Sequence, residues 1–255
     1  MNILFIGDIV GRPGRDYIIN NLNKIRKDYN IDICIANGEN ASHGNGLTIY
    51  NANELKNAGI DAFTMGNHTF NRNTEELFDE VSNIIRPANY HPSLPGNGSM
   101  IFDTGAFRLG IINVQGQISI EPIDSPFTAV TKEIDKIKSE CDAIIVDFHA
   151  EATSEKSAMG YFLDGKVAAV VGTHTHIQTA DEKILPNGTA YITDVGMTGA
   201  KNSILGTDIS IIVNRFAYQK KDKFVLADGP AQFNGVVISI DEQKGLANNI
   251  QRINL

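Results

Sequence analysis

The sequence predicts an α/β protein in which layered β-sheets are flanked by helices. Short apolar runs of strand type alternate with segments whose apolar residues recur at the helical period, and this alternation is typical of sheets covered by helices. The chain has 255 residues, 42% of them hydrophobic, which is enough for one sizeable core. We therefore expect a single domain over residues 1–255.

The strand predictions depend on short apolar runs that are bounded by turn residues, the pattern of buried strands. Gly and Asn residues follow several of these runs and mark where each one ends. In chain order the predicted strands are residues 3–6, 31–36, 61–65, 84–88, 100–103, 107–114, 143–148, 167–171 and 235–240.

The first helix is predicted from the spacing of Ile18, Leu22 and Ile25, which recur at i, i+4 and i+7. This spacing places the three side chains on one face of a helix. We expect the helix over residues 15–29, after a glycine-containing turn over residues 7–15.

Later helices are predicted from their end signals. Thr48 is a suitable N-cap and Gly59 a suitable stop for a helix over residues 49–58, and Pro126 suits the first turn of another helix. The remaining predicted helices cover residues 74–82, 126–140 and 154–163.

Side chains that bind metals or carry protons follow five of the predicted strands. In α/β sheets, ligands bind beyond the carboxyl ends of the strands, so these side chains should meet at one edge. The candidate metal ligands are Asp8, Glu39, Asn40, Asn67, His149, His174 and His176, and His68 lies beside them. The convergence predicts a shared metal site.

Each candidate also has a plainer interpretation when it is taken alone. Asp8 after a strand is typical of a turn or cap, and Glu39 in a loop is typical of a solvated carboxylate. His149 is typical of a hydrogen-bonded core histidine. These interpretations require every strand end to carry such a residue by coincidence, so the metal site is the better hypothesis.

The composition limits the partners and the compartment. A formal net charge of −8 argues against extended nucleic acid, which requires a basic surface, whereas bound metal ions allow a small anionic ligand. The apolar run over residues 2–6 is too short for a signal-peptide core or a membrane span. Cys34 and Cys141 show no disulfide or metal spacing. We expect free thiols, no membrane partner and a cytoplasmic location.

Four segments resemble the calcineurin-like metallophosphoesterases in their order: Gly7-Asp8, Gly66-Asn67-His68, His149 after a strand, and Gly172-Thr-His174-Thr-His176. Two departures stand out. Val10 occupies a position that is commonly His in that family, and the block 37–40 reads Asn-Gly-Glu-Asn. Together with segments 7–14, 37–41 and 44–48, these departures resemble the YmdB-type phosphodiesterases, and the resemblance covers essentially the whole chain.

The resemblance implies a calcineurin-like fold with a dimetal site at the carboxyl ends of the strands. Glu39 would bridge the two ions, and Asn40 would replace the missing His. One ion would take Asp8, Glu39, Asn40 and His176, and the other Glu39, Asn67, His149 and His174. Carboxylate, amide and imidazole ligands suit iron or manganese better than a thiolate-preferring ion, although the residues do not choose among Fe, Mn and Zn.

The activity that the resemblance implies is hydrolysis of cyclic nucleotides, especially 2′,3′-cyclic ones, to nucleoside monophosphates. A hydroxide bridging the metals would attack, and His68 would donate a proton to the leaving oxygen. Imidazole suits that step because its unperturbed pKa is ~6.5. The plainer interpretation of His68 is a residue that orients a ligand or contacts phosphate.

Two other functions remain open: a phosphomonoesterase on the same site, and a regulatory protein that uses the metals to bind a nucleotide or an RNA end. Arg12 and His43 are candidate substrate contacts, with a solvated helix start and loop as the alternative. Asp194 follows the strand-like residues 191–193 and is predicted to serve a turn. A homo-oligomer is compatible with the sequence, which does not select an oligomeric state.

Overall fold

The computed structural model describes residues 1–72 and 74–255. Two large β-sheets face each other, each has helices on its outer side, and a small third sheet lies at one edge. The strands are β1 (Asn2–Ile6), β2 (Asp8–Ile9), β3 (Ile33–Asn37), β4 (Ala62–Thr64), β5 (Ser99–Asp103), β6 (Arg108–Gln115), β7 (Ala143–His149), β8 (Ala169–Thr173), β9 (Lys183–Ile184), β10 (Ala190–Ile192), β11 (Met197–Ala200), β12 (Ala231–Gln232), β13 (Asn234–Asp241) and β14 (Leu246–Asn254). The helices are α1 (Gly11–Asp28), α2 (Ile49–Asn57), α3 (Glu75–Glu80), α4 (Pro126–Ile137), α5 (Thr153–Phe162) and α6 (Ile209–Tyr218).

The order of the strands brings the carboxyl ends of two parallel groups together. The first sheet runs β14-β13-β1-β3-β4, and the second runs β5-β6-β7-β8-β10-β9. Strands β1, β3 and β4 are mutually parallel, as are β6, β7, β8 and β10. Ligand-type side chains at these ends therefore project toward one region of the molecule.

Alternation along the strands builds the layers, because successive side chains point to opposite faces. Ile3 and Phe5 pack between the two sheets with Ile145 of β7. Leu4 and Ile6 of the same strand pack on the other face, against α1 and α2. The second sheet is covered in the same way by α4 and α5. The predicted α/β architecture of layered sheets flanked by helices is confirmed.

The prediction of a turn over residues 7–15 is wrong. Asp8–Ile9 forms a short strand paired with β11, and α1 begins at Gly11. Gly11 has a φ of 59°, which glycine adopts readily, and Pro13 fits the first helical turn because no intrahelical N–H bond is needed there. Gly11 and Gly14, two of the glycines of the predicted turn, instead lie at the start of the helix.

The prediction of a strand over residues 84–88 is also wrong. Ile84 makes an isolated bridge to Phe63, after which the chain leaves the sheet as the N–H of Arg86 bonds Asn97. Pro87 cannot donate to a ladder. Helix α6 was not among the predicted helices, and its apolar residues are mostly exposed. The other predicted strands and helices are present with shifted ends; His149, for example, is the last residue of β7 rather than the residue after it.

Within the described residues, no helix combines the length and the apolar character needed to cross a bilayer. The single-domain expectation for residues 1–255 stays a prediction.

Candidate metal centre

The structure brings all seven predicted ligands into one cluster at the carboxyl ends of the strands. Asp8 opens β2, Glu39 and Asn40 follow β3, Asn67 follows β4, His149 ends β7, and His174 and His176 follow β8. The short pairing of β2 with β11 aligns Asp8 with Met197 and draws the chain back toward the cluster. Asp8, Glu39, Asn40 and His149 are all buried.

The first group of ligand atoms surrounds Nε2 of His149. This nitrogen lies 2.9 Å from Oδ1 of Asn67 and 3.1 Å from Nδ1 of His174. It also lies 3.1 Å from Oε1 of Glu39. The ligand atoms of Glu39, His149 and His174 lie within 4.8 Å of one another, close enough to hold one ion.

The second group surrounds the side-chain amide of Asn40. Its Nδ2 lies 3.2 Å from Oδ1 of Asp8, from Oε1 of Glu39 and from Nε2 of His176. Nε2 of His176 lies 3.7 Å from Oδ1 of Asp8. These are the four residues expected at the first ion.

Glu39 joins the two groups through a single oxygen. Oε1 contacts both His149 and Asn40, and Oε2 accepts the backbone N–H of His68 at 2.9 Å. A carboxylate that is 1% exposed and shared in this way has the position expected of a bridging ligand. The assignment of Glu39 and the other six as metal ligands stays a prediction.

The chemistry of the donor set fits metal ions. One N–H on Nε2 of His149 serves only one of its three neighbours, so lone pairs of Glu39, Asn67 and His174 face each other around it. Buried lone pairs that converge without enough donors are costly unless a cation lies among them. Mixed oxygen and imidazole ligands without thiolate suit a borderline to hard divalent ion.

The charged side chains of the cluster lie close together and shift the pKa values of one another. Burial opposes ionisation of Glu39, but the charge of His149 holds the pKa of Glu39 below its ordinary value. Burial likewise disfavours the cationic form of His149, yet the charge of Glu39 raises the pKa of His149 to about 9. Burial and the charge of His149 lower the pKa of His174 to about 3. A bound cation would take the place of the proton on His149 whose charge stabilises the Glu39 carboxylate.

A buried carboxylate that was not predicted supports His149 from behind. Oγ1 of Thr173 lies 2.9 Å from Nδ1 of His149. The same hydroxyl donates to Oδ1 of Asp147 at 2.8 Å. Nδ2 of Asn37 lies 3.3 Å from Oδ2 of Asp147. Burial raises the pKa of Asp147 to about 7. A carboxylate within a buried apolar strand, two residues before a candidate ligand, was the available sequence signal.

The segment after β8 holds His174 and His176 in an unusual backbone conformation. Their φ angles are 100° and 63°, a region that residues with a side chain seldom adopt. The N–H of His174 donates to Oδ2 of Asp8 at 3.1 Å. Nδ1 of His176 lies 3.0 Å from the carbonyl oxygen of Leu205, and Nε2 of His174 lies 3.1 Å from Glu151. These contacts fix both rings.

Gly66 permits the close approach of the two sheets at the cluster. A β-carbon at this position would overlap the ring of His149 and the carboxylate of Glu39. The Gly-Asn-His segment therefore needs glycine for space next to the ligands.

His68 lies beside the ligand cluster, and its side chain is 33% exposed. Its Nδ1 lies 2.9 Å from Oδ1 of Asn40 and 3.6 Å from Oε1 of Glu39. The ring is thus tied to a candidate ligand at Nδ1.

Arg12 and His43 each adjoin a residue that hydrogen-bonds the backbone of Asn40. Both line a cavity of about 300 Å³ that also includes Leu226 and Asp228. The carbonyl of Asn40 accepts N–H groups from the residues next to them, Gly11 and Gly44, which connects the cavity to the ligand loop. The side chain of Arg12 is exposed and pairs with Asp16, so its role in substrate contact stays a prediction.

Asp194 does more than the predicted turn role. Its Oδ1 accepts the N–H of Gly196 at 2.8 Å, which is a turn contact. Its Oδ2 forms an ion pair at 2.6 Å with Lys156, and both side chains are buried. Lys156 was not singled out in the sequence, because a lysine in a helix is normally solvated.

Comparison with known proteins gives a consistent result. The family described as "YmdB-like protein" matches residues 4–253. A relative from Bacillus subtilis (strain 168), named "2',3'-cyclic-nucleotide 2'-phosphodiesterase", is 47% identical over 256 residues that cover 99% of this chain and 96% of that protein.

Two solved structures are similar over the whole chain. One is a hypothetical protein from Thermus thermophilus, with a TM-score of 0.93 and 38% identity, covering 100% of this chain and 99% of that one. The other is described as a novel phosphatase from Mycoplasma pneumoniae, with a TM-score of 0.93 and 35% identity, covering 100% of this chain and 93% of that one.

Proposed function

Because the chain belongs to the YmdB-like protein family, we propose that it is a metal-dependent phosphodiesterase that converts 2′,3′-cyclic nucleotides to nucleoside monophosphates. It is a hydrolase of phosphoester bonds, in line with the names of its relatives. The cyclic substrate rests on the activity named for the Bacillus subtilis relative.

The observation that supports this function most strongly is the shared position of Glu39. Its Oε1 contacts Nε2 of His149 in one ligand group and Nδ2 of Asn40 in the other. Two groups of ligands joined by one carboxylate are suited to two ions at the short separation used in phosphoester hydrolysis.

The residues that would hold the ions are the two groups described above. Asp8, Glu39, Asn40 and His176 would hold one, and Glu39, Asn67, His149 and His174 the other. We propose Fe or Mn as the metals, since the donors are carboxylate, amide and imidazole. When bound, such ions supply positive charge to the phosphoryl oxygens and lower the pKa of water.

His68 is suited to protonate the leaving oxygen through Nε2. An amide binds a cation through its oxygen, so Asn40 as a ligand would turn Oδ1 toward Asp8 and Glu39. Its Nδ2 would then face Nδ1 of His68 and donate to it. With Nδ1 accepting, the ring proton of neutral His68 lies on Nε2, which is free to meet substrate.

Substrate recognition is proposed for the cavity next to the ligand loop. Arg12 offers a cation for phosphate, His43 a ring nitrogen, and Leu226 an apolar wall for a base or ribose. The mixture of charge and apolar surface suits a nucleotide better than a simple phosphate ion.

A phosphomonoesterase is the second candidate, favoured by the description of the Mycoplasma pneumoniae structure as a phosphatase. Turnover of 2′,3′-cyclic AMP, bis-p-nitrophenyl phosphate and p-nitrophenyl phosphate separates the two. We expect the diesters to be cleaved faster, and faster cleavage of the monoester would overturn the diesterase proposal.

We place the reaction in a reducing, cytoplasmic environment. Cys34 and Cys141 are both free, and burial raises the pKa of the Cys34 thiol, which makes it an unreactive core residue. The homo-oligomer and the exclusion of extended nucleic acid stay predictions.

A further inference from the structure

A buried ion pair contacts the segment that carries two of the candidate ligands. Lys156 in α5 and Asp194 after β10 lie 2.6 Å apart, with side chains that are 1% and 0% exposed. Neither residue belongs to the ligand groups. A buried pair of this kind is weak evidence for stability, because desolvation offsets much of the attraction, so its position calls for another explanation.

The same carboxylate oxygen that binds Lys156 also binds Thr175. Oδ2 of Asp194 accepts the backbone N–H of Thr175 at 3.0 Å and its hydroxyl at 2.7 Å. Thr175 lies between His174 and His176, which belong to different ligand groups. Asp194 thus holds Thr175, the residue between a histidine of one ligand group and a histidine of the other.

The backbone around Thr175 needs such a support. Both neighbouring histidines have positive φ values, and a residue with a side chain adopts this region only where surrounding contacts enforce it. The N–H of His174 is bound by Asp8, a candidate ligand, and Nδ1 of His176 lies against Leu205. Thr175 is the point between them that is fixed from outside the ligand cluster.

Gly172 leaves the space that Lys156 needs to reach Asp194. The lysine passes over Gly172, where a β-carbon would lie 3.0 Å from its Cδ and would overlap the carbonyl of Thr193. The N–H of Val195 bonds the carbonyl of Gly172, which brings the β10 turn against the end of β8. Glycine at position 172 therefore allows both the turn and the lysine to approach.

We propose that Lys156 and Asp194 are positioning residues for the metal centre, which hold Thr175 so that His174 and His176 face different ions. The inference rests on the proposed dimetal function. The lysine holds the carboxylate of Asp194 in place, and the carboxylate holds the backbone N–H and the hydroxyl of Thr175. Loss of the pair loosens both ligand groups together, because one segment supplies a histidine to each.

The test uses the full chain in four variants. Thr175→Val removes the hydroxyl at nearly constant volume, and Thr175→Ser restores it. Lys156→Met/Asp194→Asn removes the ion pair without leaving a buried unpaired lysine. Asp61→Asn is the matched control. Like Asp194, Asp61 accepts hydrogen bonds from a cationic side chain, that of Arg26, and from a backbone N–H, that of Cys34. It precedes β4, at the end of the strand opposite Asn67.

The first readout is manganese binding to each protein, measured by competition with a chelating dye. We expect Thr175→Val and the double variant to bind both ions about tenfold more weakly, the size typical of lost outer contacts. Thr175→Ser and Asp61→Asn should bind within about twofold of wild type. Wild-type affinity in both Thr175→Val and the double variant would overturn the inference.

The second readout does not depend on metal. In metal-free protein, amide hydrogen exchange over residues 174–177 should be about tenfold faster in the double variant than in wild type or Asp61→Asn, because the N–H of Thr175 loses its charged acceptor. Unchanged exchange would overturn the inference. A wild-type chain that binds fewer than two ions would contradict the proposed function instead, and the exchange result would still decide the role of the pair.

Discussion

Oδ1 of Asn40 lies 2.9 Å from Nδ1 of His68, while Nδ2 of the same amide lies 3.2 Å from Asp8, Glu39 and His176. One side chain therefore contacts both the candidate ligands and the candidate proton donor. An amide has a donor end, Nδ2, and an acceptor end, Oδ1. If Asn40 binds metal through Oδ1, its Nδ2 is the atom that faces His68.

Metal addition should change the tautomer of His68. Oδ1 of Asn40 faces Nδ1 of His68, so we expect Nδ1 to carry the ring proton when no metal is added. With Zn²⁺ as a diamagnetic probe, the amide should turn and leave the ring proton on Nε2. Nitrogen NMR of the histidine rings, recorded at pH 8 with and without Zn²⁺, distinguishes these forms. His91, which contacts Ser93 in an exposed loop, is the control, and the same tautomer of His68 in both states would contradict the coupling.

Glu39→Gln should lose metal. The substitution keeps the shape of the side chain but removes the charge from the oxygen shared by both ligand groups. Affinity for both ions should fall by at least about 10–100-fold, the range seen even for outer contacts. Elemental analysis after dialysis measures this, with Glu140→Gln as the acidic control, because Glu140 is an exposed carboxylate that pairs with Arg108 and contacts no candidate ligand. Two ions retained in the Glu39 variant would rule out a bridging role.

His68→Ala should keep metal and lose turnover. The ring contacts Asn40 but completes neither ligand group, and general acid catalysis typically contributes about 10²–10⁴-fold. We expect a decrease of this size in kcat for 2′,3′-cyclic AMP at unchanged metal content. An activity equal to that of wild type would remove His68 from the proton-transfer step.

Gly66→Ala should disrupt the centre through its methyl group. The added carbon would overlap His149 and Glu39, and overpacking of this kind costs about 1–3 kcal/mol. The melting temperature and the metal content should both decrease. Retained metal in the Gly66 variant would show that the segment yields to the added methyl group.

Asp181→Asn should destabilise the protein in a pH-dependent way. Burial opposes ionisation, but hydrogen bonds from Thr179 and Thr193 lower the pKa of Asp181 below its ordinary value. A lowered folded pKa means that the stabilisation is present above about pH 4 and is lost as the pH falls through the folded value. We expect a loss of about 1 kcal/mol at pH 7, reduced by partial exposure.

The measurement for Asp181 is urea unfolding of both proteins at pH 7 and at pH 3.5. The difference in unfolding free energy should shrink toward the lower pH. A difference that is constant with pH would show that the carboxylate charge does not contribute.

Several features of the fold followed from local pattern. Thr48 caps α2 as expected, with its hydroxyl accepting from Asn51, because capping depends on neighbouring residues only. The buried strands were predicted because their side chains are apolar on both faces. Ile84 was placed in a strand for the same reason, and wrongly, since pairing depends on where the neighbouring strand ends.

Local sequence by itself determined which chemical groups stand at the strand ends, from Asp8 to His176, since parallel strands carry their final residues to a common edge. Tertiary structure alone decided that Oε1 of Glu39 contacts both ligand groups and that Asp194, expected in a turn, pairs with buried Lys156. The physical reason is that these contacts join residues far apart in the chain. Their burial, which gives them their strength, exists only after the sheets have packed.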